Sequence, residues 1–223
     1  MNLHDRLNLE TSAERERFLA IPLVRHALAK GGTREMYLDF LEQAYHHVKH
    51  TFCLLALAAS RTTDEGYQAA LLEYMQEERG HEKWILDDIR ALGGDADAVA
   101  AGKPGLACEV MVGHAYYLVE HVSPYALLGM VHVLEGLSVM LADKVAEAVR
   151  TRLGLTSDAG FSYLKSHGAL DQQHVRMFRA LVNGIPDPQA PEIIIRSART
   201  FYRLYGAIFE ELGEKHGVQR HAA

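Results

Sequence analysis

At 223 residues the chain is long enough to bury a sizeable core as one domain. Its 48% hydrophobic and 23% charged residues are those of an ordinary globular protein and exclude disordered and fibrous classes. A net charge of -6 with scattered Lys and Arg excludes a basic stripe and argues against nucleic acid as a partner.

The N-terminus, Met1 to Leu7, lacks the basic and then apolar pattern of a signal peptide. The longest uninterrupted apolar tract, around Phe52 to Ala59, is two helical turns and too short to span a bilayer. The expectation is therefore a cytoplasmic protein with no membrane partner. Its two cysteines, Cys53 and Cys108, do not make a disulfide framework and are expected as buried thiols.

In chain order, long stretches of Ala, Leu, Glu, Arg, Gln and Met separated by few Pro and Gly predict helices throughout, with no alternating strand pattern. The first helix runs from about Thr11 to Lys30, bent at Pro22, after a flexible tail over residues 1–10. Thr33 caps a second helix to Ser60. Asp64 caps a third that stops at Leu92, before Gly93-Gly94. A loop around Gly102 to Gly105 precedes a helix from Leu106 to His121. Ser123-Pro124 opens one to Leu153. Ser157 opens a sixth, closed by Asn183 to Pro186, and a last covers Pro191 to Gly217 before a tail from 218 to 223. The fold class is all-α, about seven helices in a single domain.

Chemistry concentrates on three of these helices. His167, Asp171 and His174 fall at i, i+4 and i+7, so a helix places two imidazoles and a carboxylate on one stripe. Buried without partners they would cost several kcal/mol, which a divalent metal would offset. Glu78 and His81, at i and i+3, make a second pair, with Glu77 as competitor for the histidine. Glu135 is the sole acid in the apolar run Gly129 to Met140, expensive unless paired. Together Glu78, His81, Glu135, His167, Asp171 and His174 could hold two ions with positions open for a substrate or dioxygen. The His-x3-Asp-x2-His helix disfavours a plain ferritin-like bundle, which uses Glu-x-x-His pairs. Glu42, His46 and His50 form another stripe, assigned to supporting or cavity-lining roles. His132 is expected to orient the Glu135 carboxylate. Tyr116, Tyr117, Tyr163, Tyr202 and Tyr205 are assigned mostly to the core, with a place near the metals as a radical or substrate contact open to one of them, and Glu109, Glu120, Asp143, Glu147, Glu210 and Glu211 to solvated faces.

The Glu78-Arg-Gly-His81 turn, the lone Glu135 and the His167-x3-Asp171-x2-His174 helix resemble the haem-oxygenase-like diiron oxidases and oxygenases. The resemblance extends over roughly Pro22 to Leu212. That family shares its seven-helix architecture with the TenA-type thiaminases, the pyrroloquinoline quinone synthase PqqC and haem oxygenase. It implies a non-haem pair of irons cycling between Fe(II) and Fe(III), or a mixed manganese and iron pair, that activates dioxygen to oxidise a small organic substrate. All six residues would be metal ligands, with Glu78, Glu135 and Asp171 also serving catalysis. A homodimer and an external electron donor belong to the same expectation.

The relatives fit less well. TenA-type enzymes carry an aspartate after the glutamine of the second helix, where this chain has Ala44 after Gln43, and a cysteine that Ser123 to Glu135 lacks. Haem oxygenase needs a proximal histidine, for which only His26 is offered, and a glycine-rich kink that Leu127 to Met130 matches poorly. The alternative is a metal-free PqqC-like or TenA-like enzyme or ligand-binding protein, its histidines gripping an acidic or quinone-like ligand.

Overall fold

The structure, a computed structural model, describes residues 1–218, and of residues 166–174 the helical backbone alone. The described residues are all-α, with no strand among them. Twelve helices follow one another: α1 Leu3–Glu10, α2 Ser12–Leu19, α3 Pro22–Lys30, α4 Arg34–Val48, α5 Thr51–Arg61, α6 Glu65–Glu78, α7 His81–Ala91, α8 Ala96–Ala101, α9 Leu106–His121, α10 Leu127–Arg152, α11 Ser162–Gly184 and α12 Ala190–Lys215. A 3-10 turn, Pro124–Ala126, leads into α10.

Local chemistry sets several starts as expected. The hydroxyl of Thr33 accepts from Met36 N at 3.3 Å, and the Asp64 carboxylate accepts from Tyr67 N at 3.1 Å. Pro22 occupies the first turn of α3, so the predicted bend is a full break between helices.

The larger number of helices comes from such breaks. The second predicted helix divides at Lys49-His50 into α4 and α5, and the third at Arg79-Gly80 into α6 and α7, while α8 occupies the stretch between the Gly93-Gly94 stop and the expected loop at Gly102 to Gly105. The tail expected over residues 1–10 is instead α1, whose Leu7 is fully buried in the core. Arg6 anchors it, donating to Glu10 at 2.7 Å and to Glu192 of α12 at 2.6 Å. Asn2 caps its start.

The central element is α10, packed by α3, α11 and α12. It approaches α12 so closely that a Cβ on Gly129 would stand 2.6 Å from Ala198 N. The segment Pro124–Arg152 is long and apolar enough to cross a membrane by length and composition, yet more than half of its most apolar 18-residue window is buried inside the fold. It reads as a core helix because its apolar residues already have protein neighbours.

Two hydrophobic clusters build the interior. One gathers α1–α3, α5, α6, α9, α12 and the N-terminal half of α10; the other gathers α4, α7, the C-terminal half of α10 and the start of α11. The polar site lies where they meet.

Candidate functional site

Glu78 is the last residue of α6 and His81 the first of α7. Between them Gly80 takes φ +96°, a left-handed conformation natural to glycine, which redirects the chain within one residue. Across that break His81 Nδ1 lies 3.2 Å from Glu78 Oε2. The His81 ring is buried and stacked on Trp84 with centroids 4.1 Å apart, which fixes its plane. Glu77 points its carboxylate toward the same interior, where it and Glu78 both act on Tyr74.

Glu135 reaches this region from α10. It and Glu78 line one cavity of about 90 Å³ together with His47, Tyr74, Ser138 and Tyr163, among apolar residues of α4, α5 and α10. Burial and then the charges of Glu135, Glu77 and Glu78 push the Tyr74 phenol far above its usual range. Tyr74 thus stays a neutral hydroxyl beside three carboxylates. No Lys or Arg is among the described residues lining this cavity. The same wall of His47, Leu134, Ser138 and Tyr163 also borders a larger apolar cavity of about 130 Å³ along α10.

The structure thus brings Glu78, His81 and Glu135 to one region. The side chains of His167, Asp171 and His174 lie outside the described residues; their helix, α11, packs on α10, α7, α6 and α1. Its start is fixed by Asp88 of α7, whose carboxylate accepts from Ser162 N at 2.9 Å, Ser162 Oγ at 2.7 Å and Tyr163 N at 2.8 Å. One short helix therefore carries His81 and holds the helix bearing the other stripe.

Donor chemistry fits a cation. Two part-buried carboxylates share a cavity with His47, and no positive side chain is among its described lining, an arrangement that attracts a cation. Oxygen and imidazole donors suit iron, manganese or zinc. Among the described residues alone, no group of three or more potential ligands is arranged closely enough to hold an ion. The fit is therefore one of donor type, in which Glu78, His81 and Glu135 would form part of the set.

Several neighbouring residues differ from expectation. The histidine of this stretch that lines the cavities is His47, whereas Glu42, His46 and His50 line neither. His46 is buried with Nδ1 3.1 Å from Lys49 Nζ, and burial and then Lys49 lower its pKa to about 4. His50 Nδ1 is 3.0 Å from Tyr116 Oη. The signal for His47 was present: it continues the interior stripe Tyr37, Phe40, Ala44 at helical spacing. His132 does not turn toward Glu135. Its Nε2 meets Thr11 Oγ1 at 3.4 Å, and the ring rests against Phe178 and Tyr202. Three residues along α10 carry the side chain round to the face covered by α12 and the Thr11 turn. Tyr163 borders both cavities, and Tyr117 is exposed. Cys108 is buried, its thiol pushed up to about 12 by burial, but Cys53 is exposed because α5 turns Leu54, Leu55 and Ala58 inward. His26 lines neither cavity.

The fold has known counterparts. A domain of unknown function with a heme oxygenase-like fold from Shewanella denitrificans superposes with a TM-score of 0.87 at 20% identity, covering 100% of this chain and 97% of that one. Heme oxygenase-2 from Synechocystis sp., in complex with heme and NO, gives 0.78 at 16% identity over 99% and 90% of the two chains. A TenA homologue from P. horikoshii gives 0.76 at 14% over 96% and 99%. No curated protein sequence matches this chain. The fold is thus haem-oxygenase-like and shared with TenA proteins. Over residues 38–206, three quarters of its length, the sequence matches one family, and the chain accordingly belongs to the iron-containing redox enzymes.

Proposed function

We propose that this protein is a dioxygen-dependent oxidase or oxygenase with a non-haem centre of two irons that oxidises a small organic substrate. The observation that carries the reading is the pairing of Glu78 and Glu135 in one largely apolar cavity whose described lining holds no positive side chain. Membership of an iron-containing redox family supports the choice of metal, and mixed manganese and iron occupancy is the close variant. Bound iron would supply dioxygen activation and the change of oxidation state, with an external donor returning electrons.

The remaining chemistry belongs to the chain. Glu78 and Glu135 supply anionic oxygens, and Glu78 also meets His81, whose ring Trp84 holds in plane. His167, Asp171 and His174 complete the proposed donor set from α11. Tyr74 remains protonated and is placed to donate to a neighbouring carboxylate or to hold a proton during turnover. The largely apolar walls offer water few hydrogen-bonding partners beside the carboxylates.

Anaerobic titration with Fe(II), counting bound metal in the parent protein and in Glu78→Gln and Glu135→Gln, tests the reading. Close to two irons per chain in the parent and a loss in both variants, with helicity intact, is expected. Equal uptake in all three would overturn the assignment. A metal-free enzyme or binding protein is the second reading, favoured by the absence of a closely set group of three ligands among the described residues. It requires substrate turnover or binding that survives exhaustive chelation.

A further inference from the structure

Trp84 is the only tryptophan in the chain, and it lies against one of the proposed donors. Its ring and that of His81 have centroids 4.1 Å apart and planes 26° from parallel, so the two π systems meet face to face. Both residues belong to the first turn of α7. That helix buries His81, Ile85, Asp88 and Ile89 and exposes Lys83, Asp87 and Arg90. Trp84 stands half-buried on the boundary between the two faces. The indole therefore touches His81 on one side while part of the residue reaches solvent.

Two phenols near the carboxylates are less suited to pass charge outward. Tyr74 is buried, and burial and then Glu135, Glu77 and Glu78 hold its hydroxyl protonated. An electron drawn from it would leave the charge stranded inside the fold. Tyr163 borders both cavities, where a substrate would meet it. An indole gives up its electron first and its Nε1 proton afterwards, and at a half-exposed position water can take that proton.

We propose that Trp84 is the outlet through which an oxidising equivalent left at the site without substrate is discharged at the surface. The proposal rests on the reading of Glu78, His81 and Glu135 as part of an iron centre that activates dioxygen. One electron passes from the indole through the stacked His81 ring to the oxidised site, and the Nε1 proton goes to water. A small reductant such as ascorbate then returns one electron at the surface, water returns the proton, and the indole is restored. Without a reductant, dioxygen adds to the indolyl radical and the ring is oxidised in place. Damage then falls on Trp84 and spares the carboxylate and imidazole donors.

The single indole makes the test direct. Fe(II) is added anaerobically to the parent protein, to Trp84→Phe and to Trp84→Tyr, bound iron is counted, and indole emission is followed in the parent. Emission should fall in step with iron uptake and return on chelation. The three proteins are then exposed to dioxygen without substrate, with and without ascorbate, and oxidised side chains are located by peptide mapping. In the parent, added oxygen should lie mainly on Trp84 and should drop several-fold with ascorbate. The variants separate a redox role from packing, because Phe keeps an aromatic ring against His81 but resists oxidation, whereas Tyr keeps the ring and can be oxidised. Trp84→Phe should divert oxidation to His81 and the neighbouring phenols, and Trp84→Tyr should restore it to position 84. If Trp84→Phe does not fold, the parent map and Trp84→Tyr still decide. Iron uptake with unchanged emission, or with oxidation that avoids position 84 in both parent and Trp84→Tyr, would overturn the outlet and leave the metal reading standing. No iron uptake by the folded parent would overturn both.

Discussion

His81 Nδ1 stands 3.2 Å from Glu78 Oε2 although the two residues belong to different helices. On a continuous helix their spacing of three would set them side by side. Here α6 has ended, Arg79 is extended, Gly80 is left-handed, and α7 begins with His81. The pair survives because the break turns both side chains inward together, while freeing α7 to leave along its own axis toward Asp88 and α11.

Gly80→Ala tests that break. A Cβ at Gly80 meets nothing within 4 Å, so the penalty is purely conformational. A non-glycine residue in the left-handed region costs roughly 1–2 kcal/mol. Chemical denaturation should show a loss of that size, and iron uptake should fall as the Glu78–His81 geometry relaxes. An unchanged or raised stability would mean that the break is not required by the fold.

Glu135→Gln is expected to lose Fe(II) uptake. The substitution removes one of the three carboxylate charges that act on Tyr74 while keeping the size of the side chain, so an anionic oxygen donor becomes a neutral amide. Counting the Fe(II) bound by parent and variant checks it, and uptake equal to the parent's would remove Glu135 from the donor set.

The fold class was legible because helix-forming residues dominate and turn signals are sparse. Boundaries were not, and the reason is local. Lys49-His50 carries no Gly or Pro, and an isolated glycine such as Gly80 is compatible with a helix at modest cost, so neither break announces itself. The Glu78 and His81 pairing was readable from a spacing of three, and Glu135 from its place as the sole acid in an apolar run. His47 was passed over beside His46 and His50, since three histidines within five residues blur which face points inward. His132 and Glu135, three apart on α10, share a stripe by spacing but serve different neighbours, which only the packing of α1, α2 and α12 decides.

Asp88→Ala should damage the site from a distance. The carboxylate accepts three hydrogen bonds at the start of α11. Burial raises its pKa in opposition to those bonds, and the loss of such a charged cap costs roughly 2–4 kcal/mol. Denaturant midpoints should fall accordingly, and iron retention should weaken because the helix carrying His167, Asp171 and His174 loses its anchor. Asp88→Asn should fall between the two. Full iron retention in a destabilised Ala variant would separate the anchor from the site.

His132 makes stability depend on pH. It is buried between Thr11, Phe178 and Tyr202, and burial, with His4 and Arg15 adding smaller effects, lowers its pKa from 6.5 to about 4. The folded chain therefore keeps the ring neutral where the unfolded chain takes up a proton. As pH falls through about 6.5 the unfolded state gains that proton first, so stability declines down to about pH 4 and the contribution is constant below. The depression corresponds to roughly 3 kcal/mol. His46, lowered by burial and Lys49, has the same sign, so the comparison must be with a His132 variant and not with zero slope. Urea unfolding of the parent and His132→Gln at pH 7 and pH 4 should show the variant losing less stability on acidification. Identical losses would mean that His132 is protonated within the fold, and that Thr11 and the α1–α2 turn move aside to solvate it.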